Sequence, residues 1–165
     1  MAAGAQLQIA YGNHDKAHSL LAELDQHPGI RNDPVYAGQL PGLVRSALAL
    51  HESELAAHLA DGVQPLLPLQ EHALTASQAQ LAEAAGNHTE AASLYTDAAT
   101  RWQQFGNVPE HGYALLGHGR SFVALSQAEA EKPLRQAREL FTMLGYKPAL
   151  TEAETLLAGF QAAAS

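Results

Sequence analysis

The chain of 165 residues is the size of a single domain, and 47% hydrophobic but only 6% aromatic side chains favour close helix packing over strands. Its formal charge of −8, from 17 acidic and nine basic side chains, disfavours binding to nucleic acid or to anionic lipid. The absence of cysteine excludes disulfides, thiolate chemistry and cysteine-based zinc sites, and it fits a reducing cytoplasm.

A sequence repeat opens the chain. "GNHDKAHSLL" at residues 12–21 is identical in six of ten positions to "GNHTEAASLY" at residues 86–95, and weaker copies occur in "HESELAAHLADGV" and "SQAEAEKPLRQA". Each copy carries one alanine at the equivalent position: Ala17, Ala56, Ala91 and Ala130. Their spacings of 39, 35 and 39 residues are typical of helix-pair repeats. Apolar residues follow each alanine on one helical stripe, so we expect the alanines to be points where helix backbones approach closely.

Capping signals predict the helices between these copies. Asp33 and Pro34 read as the N-cap and first residue of a helix that reaches about Leu50 and that Pro41 should kink or restart. A long helix should follow over about residues 66–85.

The second half of the chain continues with similar signals. Gly86 should end the long helix, and Asn87 with Glu90 is typical of a capping box for the next one, which should stop at Gly106. The following helix is predicted to begin at Pro109.

Two further boundaries are predicted nearer the C-terminus. Ser126 and Glu129 form a second capping-box signature, which would begin another helix. A final helix should begin at Pro148 and serve as a terminal cap.

These helices predict an all-α fold, a right-handed solenoid of four antiparallel helix pairs and a C-terminal capping helix. The single domain, residues 1–165, would divide into units at about 1–31, 32–64, 65–105 and 106–145, with the cap at 146–165. One pair is too thin to bury its own apolar face, so the pairs must stack. Because few residues precede Gly12, the first pair looks incomplete. We therefore expect that Met1 is not the natural start and that this edge would let the chain form oligomers.

The stretch "GNHTEAASLYTDAA" resembles the second helix of a tetratricopeptide repeat, in which small, aromatic and small residues recur as they do at Ala91, Tyr95 and Ala98. Ala79 lies twelve residues before Ala91, where that family has a small residue of the first helix, and Leu116 with Gly117 matches its leucine-glycine pair. The resemblance implies helix pairs whose first helices line a concave binding surface.

Residues 33–160 are also similar to the C-terminal helical tail of large bacterial ATP-binding signalling regulators. The similarity lies in "LPGLVRSALAL", "RWQQFGNVPEHGYALLGHGRSF" and "PLRQARELFTMLGYKPALTEAETLLA". In that family the tail follows an ATPase module and often a nucleotide-cyclase or helix-turn-helix output domain. The resemblance implies a regulatory domain whose partner is an upstream ATPase module of the same polypeptide, and it carries no catalytic function over to this chain.

Few residues suggest catalysis or metal binding. His14 and His18 are four residues apart, a spacing that can chelate a metal, but no third ligand or zincin pattern accompanies them, so surface histidines are the favoured interpretation. "GHGRS" at 117–121 lacks the lysine and glycine spacing of a phosphate loop, so we expect Gly117 and Gly119 to be sites of close helix contact. Core packing is the favoured interpretation of Trp102 and Phe105, and the alternative is an exposed anchor for a partner.

We therefore predict a cytoplasmic, non-catalytic scaffold for a protein or peptide partner, with no catalytic residue, metal or cofactor. No apolar run is long enough to span a bilayer, and the N-terminus lacks the features of a signal peptide. The alternative is a metal-binding or hydrolytic enzyme built on histidines and carboxylates. If the tetratricopeptide geometry holds, the outward-facing first-helix positions that would line the partner groove are Arg45, Gln80, Glu83, His111 and His118.

Overall fold

The structure is a computed structural model that describes residues 2–163, in which nine α-helices and two 3₁₀ turns occur and no strand is present. The helices are α1 (Ala2–Ala10), α2 (His14–Gln26), α3 (Pro34–Ala49), α4 (Ser53–Ala60), α5 (Pro68–Ala84), α6 (His88–Phe105), α7 (Val108–Ala124), α8 (Glu131–Leu144) and α9 (Lys147–Ala163). The all-α prediction is confirmed. Across the described range, every helix falls short of the length and apolar character that a bilayer crossing requires.

The chain forms two compact units, the first ending at Ala84 and the second beginning at Ala85. In the first unit α3 is central, because it packs against α1, α4 and α5. Helix α2 pairs with α1 and also touches α4, so α1, α3 and α5 are successive neighbours, and α2 and α4 lie beside them. Its core is aliphatic and includes Leu21, Leu40, Leu43, Val44 and Leu59.

In the second unit α7 is central and packs against α6 and α8, while α9 packs against α8 and α7. Its largest fully buried side chains are Trp102, Phe141, Leu116 and Leu134, with Tyr95 almost as deeply buried. Burial of these large side chains contributes to the hydrophobic stabilisation of this unit.

The four repeat alanines, Ala17, Ala56, Ala91 and Ala130, are all 0% exposed, so they lie in the core as the repeat predicts. Three of them lie inside helices, but Ala130 ends the 3₁₀ turn Ala128–Ala130, and α8 begins at the next residue. The reason is Pro133, which has no backbone N–H and is tolerated only in the first turn of a helix. Helix α8 therefore begins late relative to the other copies.

The capping predictions hold in part. The Asp33 carboxylate accepts hydrogen bonds from the backbone N–H groups of Val35 at 2.7 Å and Tyr36 at 3.4 Å, as predicted. Asn87 occupies the N-cap position of α6, but its side chain makes no capping hydrogen bond, so the capping box predicted there is wrong. Its ψ of 62° differs from the extended backbone that usually aims a capping side chain at the first turn.

The capping box predicted at Ser126 and Glu129 is also wrong. Ser126 ends α7 in the left-handed conformation, with a φ of 56°. The Gln127 N–H donates to the Phe122 carbonyl at 2.9 Å and the Ser126 N–H donates to the Val123 carbonyl at 3.0 Å. These two bonds form a Schellman motif, which terminates a helix.

The same helix ending recurs through the chain. His51 ends α3 with a φ of 62°, and the same two backbone hydrogen bonds of a Schellman motif are present at this helix end. The residues that follow α1, α3, α5 and α7 in the left-handed conformation are Gly12, His51, Gly86 and Ser126. Gly62, Gly106 and Gly145 follow α4, α6 and α8 in the same conformation, so this ending is general among the described helices and does not mark alternate ones.

Helix α3 runs without interruption through Pro41, so this proline does not restart the helix. Pro41 is fully buried, and its carbonyl accepts a further hydrogen bond from Gln80 on α5. Packing of α1, α4 and α5 around α3 therefore outweighs the cost of the missing backbone bond.

Arg31 joins the ends of α2 and α4 in the first unit. Its guanidinium forms an ion pair with Asp25 and donates to the carbonyl oxygens of His58 at 2.7 Å and Asp61 at 3.4 Å. It also lies 5.9 Å from the centre of the Tyr36 ring. Arg31 therefore adds a charged donor at the C-terminal end of α4, where the backbone N–H of Asp61 also donates to the His58 carbonyl at 3.2 Å.

Candidate partner-binding surfaces

The first unit brings three of the five predicted groove residues together. Arg45 lies on α3, while Gln80 and Glu83 lie on the neighbouring helix α5. The Gln80 amide donates to the carbonyl of Pro41 at 3.3 Å, and Arg45 follows Pro41 by one helical turn. Glu83 follows Gln80 by one turn, so a cation, an amide and an anion share one region of this unit.

One of these three side chains is less exposed than predicted. Arg45 and Glu83 are half-buried, and both take part in polar interactions. Gln80 is only 6% exposed, so it does not face outward as predicted. Its amide instead bonds to α3, and its side-chain oxygen has no hydrogen-bond partner among the described residues. A partner at this surface would meet mainly Arg45 and Glu83.

Helix α1 approaches the same part of α3 at Gly42. A Cβ at this glycine would lie 3.2 Å from Nε2 of Gln6 and 3.3 Å from the Cβ of Ala2. The Ala2 N–H also donates to the side-chain oxygen of Gln39 at 3.2 Å. Gln6 and Gln39 were not among the predicted groove residues. The contact of α1 with α3 that brings them here could not be predicted, because a single glycine within a helix does not indicate a close helix contact.

The second unit contains the other two predicted residues, His111 and His118, seven residues apart on α7. That separation places them on one face of the helix. Both side chains are half-buried, and burial lowers the pKa of each imidazole below its usual 6.5. At neutral pH they therefore act as uncharged hydrogen-bonding groups.

His118 borders an open groove in the second unit. Its Nε2 lies 3.3 Å from the Thr96 hydroxyl, and its ring centre lies 4.3 Å from that of Phe122. Thr96 and Phe122 both line the groove, whose full lining is Thr89, Ala92, Ser93, Thr96, Phe122, Leu125 and Gln127. Small side chains at positions 89, 92, 93 and 96 leave this concavity on α6, and no local sequence pattern indicates it.

The histidine pair considered for metal binding lies elsewhere. His14 and His18 are exposed, and the Nδ1 atom of His18 is 3.3 Å from a carboxylate oxygen of Glu52. Within residues 2–163, histidine, aspartate and glutamate side chains do not gather in any group of three or more that could hold a metal ion. The structure therefore places no third ligand of these types with His14 and His18 among the described residues.

The glycines of "GHGRS" are sites of close helix contact, as predicted. A Cβ at Gly117 would overlap the ring of Tyr95 on α6, and a Cβ at Gly119 would overlap the side chain of Leu134 on α8. Trp102 is fully buried as expected, but Phe105 is 51% exposed, so its predicted core position is wrong. Phe105 is the last residue of α6, where the helix ends before its ring can be covered.

Comparison of the chain with protein-family models, with curated proteins and with solved structures found no match in any of the three. The chemistry of the two surfaces is therefore the basis on which a function is assigned.

Proposed function

We propose that the chain is a non-catalytic scaffold that binds a protein or peptide partner, built as a solenoid of tetratricopeptide-like helix pairs. The observation that carries this proposal is the half-buried surface of the first unit, where Arg45 and Glu83 lie on adjacent helices beside Gln80. Charged and amide groups in fixed positions recognise the backbone and polar side chains of a peptide.

Two features support the solenoid. The four repeat alanines, spaced 39, 35 and 39 residues apart, are all buried. The first unit also places α1, α3 and α5 side by side, the order that stacked helix pairs require.

The second unit offers its own contact region, the groove beside His118. Its lining combines hydroxyl groups with the apolar surface of Phe122 and Leu125. Such a mixture binds partners through a few directed hydrogen bonds and a modest apolar area. We treat it as an additional contact region rather than as the defining one.

The proposal is tested by site-specific crosslinking. A photoreactive amino acid at position 45 or 83 should crosslink a discrete partner in cells of the source organism, and one at exposed Lys16 on α2 should not. The double variant Arg45→Ala, Glu83→Ala should lose capture of the same partner while its thermal unfolding stays close to that of the wild type. Capture that is equal at all three positions and is unaffected by the double variant would exclude this surface.

The partner we propose first is an upstream ATPase module, as in the bacterial regulators that residues 33–160 resemble. In that arrangement the helical tail would bind differently to two states of the module and so bias its activity. The test is to identify the crosslinked partner by mass spectrometry. Peptides of a P-loop ATPase would support the regulatory role. A partner without such a module would indicate that the chain acts as a free-standing adaptor.

A further inference from the structure

A cluster of exposed aliphatic side chains lies at the N-terminal ends of α3 and α5, away from Arg45 in the middle of α3. Leu66 is 80% exposed, Val35 is 66% exposed and Leu67 is 54% exposed. We call Val35, Leu66 and Leu67 the leucine patch. Leu66 and Leu67 are adjacent in the chain, and Gln70 bonds to both of them and to Pro34, which precedes Val35, so the two backbone segments lie side by side. Exposed aliphatic side chains that lie together mark binding surfaces more often than single ones do.

Buried Gln70 holds this patch in place. Its side-chain oxygen accepts hydrogen bonds from the N–H groups of Leu66 at 2.7 Å and Leu67 at 3.2 Å. Its amide donates to the carbonyl of Pro34 at 3.4 Å, and the residue is only 3% exposed. One buried side chain therefore fixes both halves of the patch, so the leucines are presented to solvent in an ordered segment.

The charges around the leucine patch are acidic. Asp33 lies two residues before Val35, and exposed Glu71 follows Leu67 by one turn, with its N–H bonded to the Leu67 carbonyl at 3.1 Å. The first unit as a whole has nine acidic and three basic side chains, a formal charge of −6. The nearest arginine in sequence, Arg31, is already paired with Asp25.

These charges select among the partners that could cover the patch. A second copy would bring the same negative charge to the interface, and anionic lipid or nucleic acid would be repelled in the same way. A segment with apolar side chains flanked by lysine or arginine satisfies both the aliphatic surface and the acidic rim.

We propose that the leucine patch is a docking site for a cationic amphipathic segment of a partner protein. This inference rests on the proposed scaffold function and gives the partner a specific chemistry. The leucine patch shares no residue with the surface formed by Arg45, Gln80 and Glu83, so the two proposals can be tested and rejected independently.

The test uses two synthetic helical peptides of equal length, one of leucine and lysine and one of leucine and glutamate, titrated into the full chain by fluorescence anisotropy. The lysine peptide should bind and the glutamate peptide should not. The double variant Leu66→Ser, Leu67→Ser should bind the lysine peptide at least about tenfold more weakly. Glu71→Gln should weaken binding by about two- to threefold, and added salt should weaken it further.

The matched control is the double variant Leu7→Ser, Leu20→Ser, which removes two exposed leucines from α1 and α2 of the same unit. It should bind like the wild type, and circular dichroism should show that all variants remain folded. Equal affinity of the wild type and the patch variant, or equal binding of both peptides, would overturn the proposal. A dimer that the patch variant abolishes in sedimentation would also overturn it, since the occupant would then be a second copy.

Discussion

The ring of Tyr95 on α6 lies directly against the backbone of Gly117 on α7, so that no side chain fits between the two helices at this point. Gly119 meets Leu134 on α8 in the same way. Glycine inside a helix costs about 1 kcal/mol relative to alanine. The close approach of α6 and α8 to α7 offsets this cost by burying a tyrosine and a leucine.

Substitution of this glycine should therefore destabilise the second unit. We expect Gly117→Ala to lower the free energy of unfolding by about 2 kcal/mol, because the added methyl group forces the buried Tyr95 ring to move. The control is Gly159→Ala on α9, where a Cβ would have open space, and it should raise stability by about 0.5–1 kcal/mol. Denaturant unfolding followed by fluorescence of the single tryptophan, Trp102, measures both, and a neutral Gly117→Ala would contradict the contact.

At the left-handed residues that end α3 and α7, we expect the opposite effect: introducing a glycine should stabilise the protein. His51→Gly and Ser126→Gly should each stabilise the protein by about 1 kcal/mol, because a side chain with a Cβ is strained at positive φ. Ala158→Gly, at an exposed position inside α9, should instead destabilise by about 1 kcal/mol. Thermal unfolding of the three variants gives the comparison. A loss of stability at residues 51 and 126 similar to that at residue 158 would show that their backbone is not left-handed.

The role of Arg31 is tested by a conservative change. Arg31→Lys keeps the charge but cannot reach Asp25 and the α4 carbonyls together, so we expect a loss of about 1–3 kcal/mol in unfolding free energy. Arg135→Lys is the control, because Arg135 is bonded to Glu131 at an exposed position, where solvent screens the pair and the change in stability should be much smaller. Equal effects of the two substitutions would show that Arg31 does not join the helix ends.

The stability of the second unit should depend on pH through His118. Burial lowers the pKa of its imidazole below 6.5, so the unfolded state takes up the proton at a higher pH than the folded state. The stability that this histidine contributes is present above about pH 6.5 and is lost as the pH falls through the folded-state pKa. His118→Gln should therefore show a shallower decline in melting temperature between about pH 7 and about pH 5. A decline identical to that of the wild type would contradict burial of the imidazole in the folded state.

Much of the fold could be predicted because it depends on local signals. The repeat alanines, the Asp33 cap and the glycine at the end of α6 were all identified from residue type and spacing. Ser126 could not be read correctly, because a serine followed three residues later by a glutamate is typical of a helix start. The backbone instead uses this serine to end α7, in the left-handed conformation that Gly12 and Gly86 adopt after α1 and α5.

The candidate site was less predictable, because it depends on tertiary contacts. Gln80 is polar and lies on a helix, yet its side chain is buried. Its amide donates a hydrogen bond to a carbonyl 39 residues earlier in the chain. Gln70 likewise forms its bonds to a preceding loop and to Pro34, which no local pattern indicates. Periodicity places such residues on a helix face but does not say which neighbour covers that face.

The scaffold requires the four repeat alanines to be points of tight helix contact. The most direct test is the unfolding free energy of the variants Ala17→Leu, Ala56→Leu, Ala91→Leu and Ala130→Leu, with exposed Ala57→Leu on α4 as the control. Leucine is nearly as good a helix former as alanine, so only packing should distinguish these positions. We predict a loss of about 1–3 kcal/mol at each of the four and a change within about 0.5 kcal/mol at residue 57. Four variants as stable as the control would contradict helix stacking at these positions.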